Sequence, residues 1–481
     1  MTDLSGSNVW GTFLILGLLL SVLLVANILK KAIPFLRKSL VPTSVLGGLM
    51  ILAFTAIYNA ITGENFFELD AFGVNGIDTM ETLTYHCLAL GFIASSLKSS
   101  SNKMSKKRTV EIFNTGVTTV STYLLQGILG MGITLVAAAL FMPGFFEAAG
   151  ILLPFGFGQG TGQALNYGTI YEVEHGFIGG KTFGLTIAAL GFLSASFGGV
   201  IHLNVMKRKG KLGKSVRNDS ILHSEEIEDP NEVPMQESID KMTLQIALIA
   251  VAYMITYGLM YLLGLLLPGM KSTIYGFNFI IGVLSASLIK VIMKLLTKTH
   301  IIKEKYTNNF LLTRASNLFF DIMVIAGIAA IRLNELKDYW GIMLILGVVG
   351  LASTYLYNAF VAKKLFADYS EEQFLMMYGM LTGTASTGVI LLREADPDFK
   401  TPASDNLVLQ NFPAIVFGFP MMLLANMAPT KPILTYIILV VFFIAMNILL
   451  FRSFIFKGGK KKAAPDESAS GETDGTDSAE G

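Results

Sequence analysis

The chain has 481 residues, of which 52% are hydrophobic and only 15% are Asp, Glu, Lys or Arg, where an average soluble protein carries about 25% charge. The mean hydropathy of +0.58 agrees. These figures exclude soluble enzymes and nucleic-acid binders and give a polytopic, all-α membrane protein, while the single cysteine, Cys87, excludes an intramolecular disulfide and any Cys-rich metal site.

The first apolar run, at about 9–29, is long enough to cross ~30 Å of hydrocarbon. It has no basic segment before it and no small-residue cleavage site after it, so it reads as a retained span rather than a signal peptide. Ten further candidates follow at about 41–60, 82–97, 112–140, 179–204, 242–267, 276–296, 315–335, 340–362, 407–427 and 432–452. The run at 82–97 is short, and Asn334, Glu335, Lys337 and Asp338 divide 315–335 from 340–362.

Lys and Arg total 36 against 35 Asp and Glu, a net charge of +1. Placing the N-terminus outside and alternating sides through eleven spans puts 31 of the 36 basic residues inside, leaving only Lys181, Lys271, Arg332, Lys337 and Lys431 outside. Short cytoplasmic loops carry excess Lys and Arg, and one missed span would invert every loop after it. The expected topology is N-out, C-in. The loop at 206–241 begins basic, turns acidic and reads as a cytoplasmic linker between two halves; the tail at 457–481 is almost devoid of apolar residues and reads as disordered.

The halves look alike. Residues 85–98 and 321–337 are each an apolar helix with a small-residue centre and a polar exit, followed by a long span and then by a segment that is no ordinary span. In the first half that segment contains Gly156, Gly158, Gly160 and Gly162 at alternate positions; in the second it runs from Tyr378 through Gly383, Thr384 and Thr387 to Arg393. Each glycine costs about 1 kcal/mol in a helix interior, and unpaired backbone at membrane depth is tolerated only where protein or a water-filled cavity satisfies it. The reading is two re-entrant hairpins, near 150–172 and 373–393, entering from opposite sides. This gives an inverted-topology repeat of about five spans per half: 1–205 for the first, 242–430 for the second, and an extra span at 431–456. Interrupted segments at matching places in two such halves point to a transporter's binding site.

Glycine lets the main chain approach a ligand closely, and the helix starts beyond the tips favour a carboxylate. Free carbonyls, with the hydroxyls of Thr161, Thr382, Thr384, Ser386 and Thr387, offer neutral oxygens to a cation. Two charges sit out of place. Arg393 closes the second hairpin and could hold an anion or pair locally with Glu394 or Asp396. Asp321 lies well inside its span and could bind a cation, take a proton or pair with a basic residue. Asn166, Tyr167 and Tyr171 are candidates to line the cavity, and Asn406, Gln410 and Asn411 to support the second tip, with Asn166 and Asn411 as possible ion ligands. Glu172, Glu174 and His175 read as a solvated hairpin exit, and His86 and His202 as packing histidines.

With these residues in view, the chain resembles the bacterial glutamate:sodium symporter family, over most of residues 9–430. The resemblance rests on Ile33 through Gly48, the Gly158-Gln159-Gly160-Thr161-Gly162 tip, Asn317 through Glu335, and Gly383 through Gly388. It implies Na⁺-coupled uptake of an acidic amino acid, Na⁺ being the coupling ion, with no organic cofactor. The substrate would sit at Gly158, Gly160, Thr161 and Gly162 together with Gly383, Thr384 and Thr387, in a homodimer in the cell membrane. This chain departs from the pattern at Gln159, where relatives carry His, and in its extra last span. Proton coupling remains an alternative, and an ion channel a lesser one. A membrane enzyme would need a convergent His, Cys or carboxylate cluster that the spans do not supply, and a sensor would need a larger soluble domain.

Overall fold

The computed structural model describes residues 6–73, 75–98, 105–210, 232, 239–302, 304–397 and 399–457. The tail beyond 457 and the central linker, apart from 206–210, 232 and 239–241, lie outside them. The described residues form an all-α bundle in which nine helices are long and apolar enough to cross a membrane; a bent pair makes ten.

In chain order the helices are α1 (Ser7–Ala32), α2 (Thr43–Thr62), α3 (Gly76–Leu97), α4 (Lys106–Leu140), α5 (Leu152–His175), α6 (Gly180–Arg208) and α7 (Lys241–Leu266). After them come α8 (Asn278–Lys298), α9 (Asn309–Ala329), α10 (Trp340–Leu365), α11 (Ser370–Thr382), α12 (Ala385–Ala395), α13 (Ala403–Leu409), α14 (Asn411–Met427) and α15 (Pro432–Leu450). The short apolar run at 82–97 gains a polar first turn: Asn75 caps α3 by accepting from the Ile77 and Asp78 amides, giving a helix of 22 residues. The expected span at 407–427 is the bent pair, α13 and α14 meeting at 49°.

Two segments fold back on themselves. In α5 the one residue off helical geometry is Gly160, at φ +78°, ψ −169°. Phe155 and Tyr167 stack across this break with ring centroids 4.0 Å apart, whereas twelve residues of continuous helix would separate them by about 18 Å. Helices α11 and α12 form the second hairpin, closed by backbone contact: a Cβ on Gly379 would lie 2.8 Å from the Gly388 Cα.

Helix α4, 35 residues long, shows where each hairpin is rooted. The base of the first lies toward the Leu140 end, where the Thr134 hydroxyl donates to the Glu147 carbonyl at 2.7 Å. The base of the second lies at the other end, where Lys107 pairs with Asp368 at 2.9 Å and Arg108 reaches the Pro402 carbonyl. The two hairpins therefore enter the bundle from opposite ends.

The remaining helices sort into two packed groups. One joins α1, α2, α3, α7, α8 and α9; the other joins α4, α6, α10, α14 and α15 around the hairpins, and α5 is the main contact between them. Most of α6 is buried (72% of its apolar window), against 17–22% for α1, α2, α7 and α15, which form the apolar rim.

Candidate functional site

The hairpin tips meet. A Cβ on Gly160 would lie 3.5 Å from the Thr384 Cγ2 and 3.7 Å from the Gly383 carbonyl oxygen. Two residues three apart on α4 hold both tips in place: the Tyr123 hydroxyl donates to the Gly158 carbonyl at 3.0 Å, and the Gln126 amide donates to the Leu381 carbonyl at 3.0 Å and to the Thr354 hydroxyl at 2.8 Å. The Tyr123 ring lies so close to Gly158 that a Cβ there would fall 2.1 Å from it. Tyr123→Phe keeps the ring but strips a donor from a buried carbonyl, a loss of about 1–3 kcal/mol. A lower melting temperature for Tyr123→Phe than for wild type checks this; an unchanged one removes the Tyr123 hydroxyl as the tip's support.

Between the tips, at the junction of the two helix groups, lies a cavity of about 160 Å³. The first group supplies an apolar wall from Leu88, Phe92, Phe320 and Met323. Facing it are carboxamides and hydroxyls: Gln159 and Gln163 from the first hairpin, Thr384 from the second, Gln410 and Asn411 from the α13–α14 bend, and Thr119 from α4. Among the described residues, no Asp, Glu, Lys, Arg or His lines it. The Thr119 hydroxyl donates to the Gln410 Oε1 at 3.0 Å, and the Gln410 amide donates to the Asn411 Oδ1 at 3.1 Å, so this corner is internally paired. Helix α12 starts at Ala385 without a side-chain cap, leaving first-turn N–H groups and partial positive charge at the tip. The preceding arm, α11, ends there with its carbonyls. The site thus offers donors suited to an anion and neutral oxygens suited to a cation.

Of the residues singled out from the sequence, Gly158, Gln159, Gly383, Thr384, Gln410 and Asn411 line this cavity. Gly160 sits at the contact between the tips. Thr161, Gly162, Thr382 and Thr387 stand behind the lining. The Thr161 hydroxyl donates to the Met323 carbonyl at 3.2 Å, Gly162 packs on Leu88, Thr382 is bonded to the Tyr378 carbonyl, and Thr387 lies 3.3 Å from the Thr384 hydroxyl. Ser386 is half-buried and outside the lining.

Other candidates lie elsewhere. Asn166 donates to the Gly276 carbonyl at 3.2 Å, and the Tyr167 and Tyr171 hydroxyls donate to the carbonyls of Met422 and Ala425. These three pin the hairpin's outer arm to its neighbours rather than lining the cavity. Arg393 is exposed and lies over the Phe399 ring at 5.6 Å. The local acid Asp396 is instead held by the Lys400 and Thr401 amides and the Thr401 hydroxyl. Asp321 reaches the surface of α9 beside the Ser44 hydroxyl, while its neighbours Phe320 and Met323 face the cavity. Glu172 is not simply solvated: with Glu81 it flanks Lys181, at 3.9 and 2.9 Å, in a network that also takes in Arg332. Asn406 supports the second hairpin's stem by donating to Gln373 at 3.0 Å.

The site residues missed in the sequence are Thr119, Tyr123 and Gln126 on α4, and Gln163. The signal was there: Thr115, Thr119, Thr122 and Gln126 mark one polar face at spacings of three and four on an otherwise apolar span. Comparison with family models and with curated proteins finds no match to this chain.

Proposed function

We propose that this protein is a secondary-active symporter that couples Na⁺ influx to uptake of a small carboxylate such as glutamate, by an elevator-like form of alternating access. The observation that carries this reading is the pair of broken hairpins, rooted at opposite ends, whose tips meet at a small polar cavity between two helix groups. Such sites, with half-helix N-termini facing anionic groups and carbonyls facing the ion, are the working parts of inverted-repeat transporters. The grouping of helices supports the repeat: α1–α3 pack with α7–α9, while α4, the first hairpin and α6 pack with α10, the second hairpin and α14. Counting α3 as a span beside the ten apolar candidates, the halves carry five spans each, α15 is the extra span, and the basic residues set the N-terminus outside and the C-terminus in the cytoplasm.

The neutral lining favours Na⁺ over protons, because none of the described residues that line the cavity is a carboxylate or imidazole able to carry a proton. The substrate's negative charge is met by helix N-termini and balanced by the co-bound ion rather than by an arginine. Among the ion-site candidates, Asn411 and the carbonyl end of α11 at Thr382 are the best placed; Asp321 and Asn166 would act through the surrounding helices. Assembly as a homodimer follows from the family resemblance.

Purified protein in liposomes tests the reading. An inward Na⁺ gradient should drive L-glutamate accumulation above equilibrium, K⁺ should not replace Na⁺, and a protonophore should leave uptake intact. Accumulation that follows the proton gradient and ignores Na⁺ would overturn the coupling; conductive, unsaturable flux would overturn symport itself.

A further inference from the structure

Gln163 lies three residues beyond the Gly160 break on the returning arm of α5. It lines the cavity and is only 1% exposed, yet neither its Oε1 nor its Nε2 has a hydrogen-bond partner within the protein. Buried carboxamides are nearly always bonded, and others on this hairpin obey the rule: Asn166 donates to a carbonyl, as do the hydroxyls of Thr161, Tyr167 and Tyr171. Gln163 differs from them in facing the cavity, so its partner belongs to whatever fills that space.

The chemistry of the group narrows the partner. A carboxamide presents an acceptor oxygen and an N–H₂ donor side by side. The ligand that satisfies both offers a donor and an acceptor on adjacent positions, as the ammonium and carboxylate of an α-amino acid do. A dicarboxylate of the same length offers acceptors only and leaves Oε1 facing an anion. The uncapped start of α12 across the cavity is then free for the ligand's second carboxylate.

We propose that Gln163 reads the α-amino acid head group, its Oε1 accepting from the ammonium and its Nε2 donating to the α-carboxylate, and so makes the site select amino acids over dicarboxylates. This deepens the symport reading and rests on it. A site built to hydrogen-bond a substrate group discriminates strongly against the analogue that lacks it, because its own buried groups are left unpaired.

The test is competition for Na⁺-driven L-[³H]glutamate uptake in proteoliposomes by unlabelled L-glutamate and by glutarate, which lacks only the amino group. Wild type should prefer glutamate by at least about tenfold. Gln163→Met, close in volume but without polar atoms, should lose affinity for glutamate and bring the two competitors within about threefold of each other. Gln163→Asn, which keeps the amide one methylene short, should fall between, and it serves if the Met variant does not fold. A preference unchanged in either folded variant overturns the proposal, as does a wild type that takes both ligands equally; symport would survive both results. Absence of Na⁺-driven uptake in wild type overturns the symport reading and this one with it.

Discussion

Gly160→Ala should abolish Na⁺-driven uptake, with a fall of at least about 100-fold, while Gly17→Ala should leave it untouched. At φ +78°, ψ −169°, Gly160 occupies backbone space that is essentially closed to residues with a Cβ, at a cost of order 1–3 kcal/mol. The added methyl itself would find room, 3.5 Å from Thr384 of the other tip, so the penalty lies in the backbone angles. Alanine relieves the strain by returning residue 160 to helical angles, and that straightens the hairpin on which the cavity depends. The penalty therefore falls on the geometry of the site more than on overall stability. Gly17 sits in α1, where a Cβ meets nothing within 4 Å, and alanine there gains about 1 kcal/mol of helix propensity. Uptake by both variants, normalised to folded protein on a sizing column, checks the contrast. Transport by Gly160→Ala at wild-type rate would mean that the break is dispensable.

Much of this was legible in the sequence, and for a physical reason. In a hydrocarbon solvent each span must be a long apolar helix, so hydropathy marks the helices. Alternating glycines at 156–162 cannot persist as a lipid-facing helix, so they mark the first break. What stayed hidden is of two kinds. Side-chain direction was one: Asn166, Tyr167 and Tyr171 sit near the first tip in sequence, but each turns outward to a backbone carbonyl on a neighbouring segment. Ranking by charge was the other. Arg393 and Asp321 stand out in an apolar chain, yet the cavity is lined by neither. Its polarity comes from neutral amides and hydroxyls that cost little in hydropathy and so draw little notice. Gln163 in the cavity wall is the clearest case, and Gln126, a single amide in an apolar stretch of α4, holds the second tip; the significance of each appears only when the opposite tip is in place.

The second large effect is expected far from the cavity, at Glu232 in the acidic side of the linker. Its carboxylate is 2% exposed and accepts from Lys241 at the start of α7 at 2.9 Å, from Lys305 at 3.4 Å and from Asn308 at 2.6 Å. Lys241 is itself 1% exposed. One linker carboxylate thus clamps the start of α7 to the residues that lead into α9, two helices of the group that forms the cavity's apolar wall. Removing one member of a buried ion pair costs about 3–5 kcal/mol, whereas replacing both members with apolar groups is often neutral. Glu232→Ala should therefore lower the melting temperature sharply. Glu232→Gln should lower it less, because the amide still accepts from Asn308 while the charge is lost. Adding Lys241→Met to Glu232→Ala should restore much of the loss, and a double-mutant cycle on thermal unfolding measures that coupling. Additive single effects would show that the two residues do not act as a pair. With coupling, the Glu232→Ala protein should also transport slowly even at temperatures where it stays folded, because the cavity's apolar wall would lose its tie at the linker end of α7.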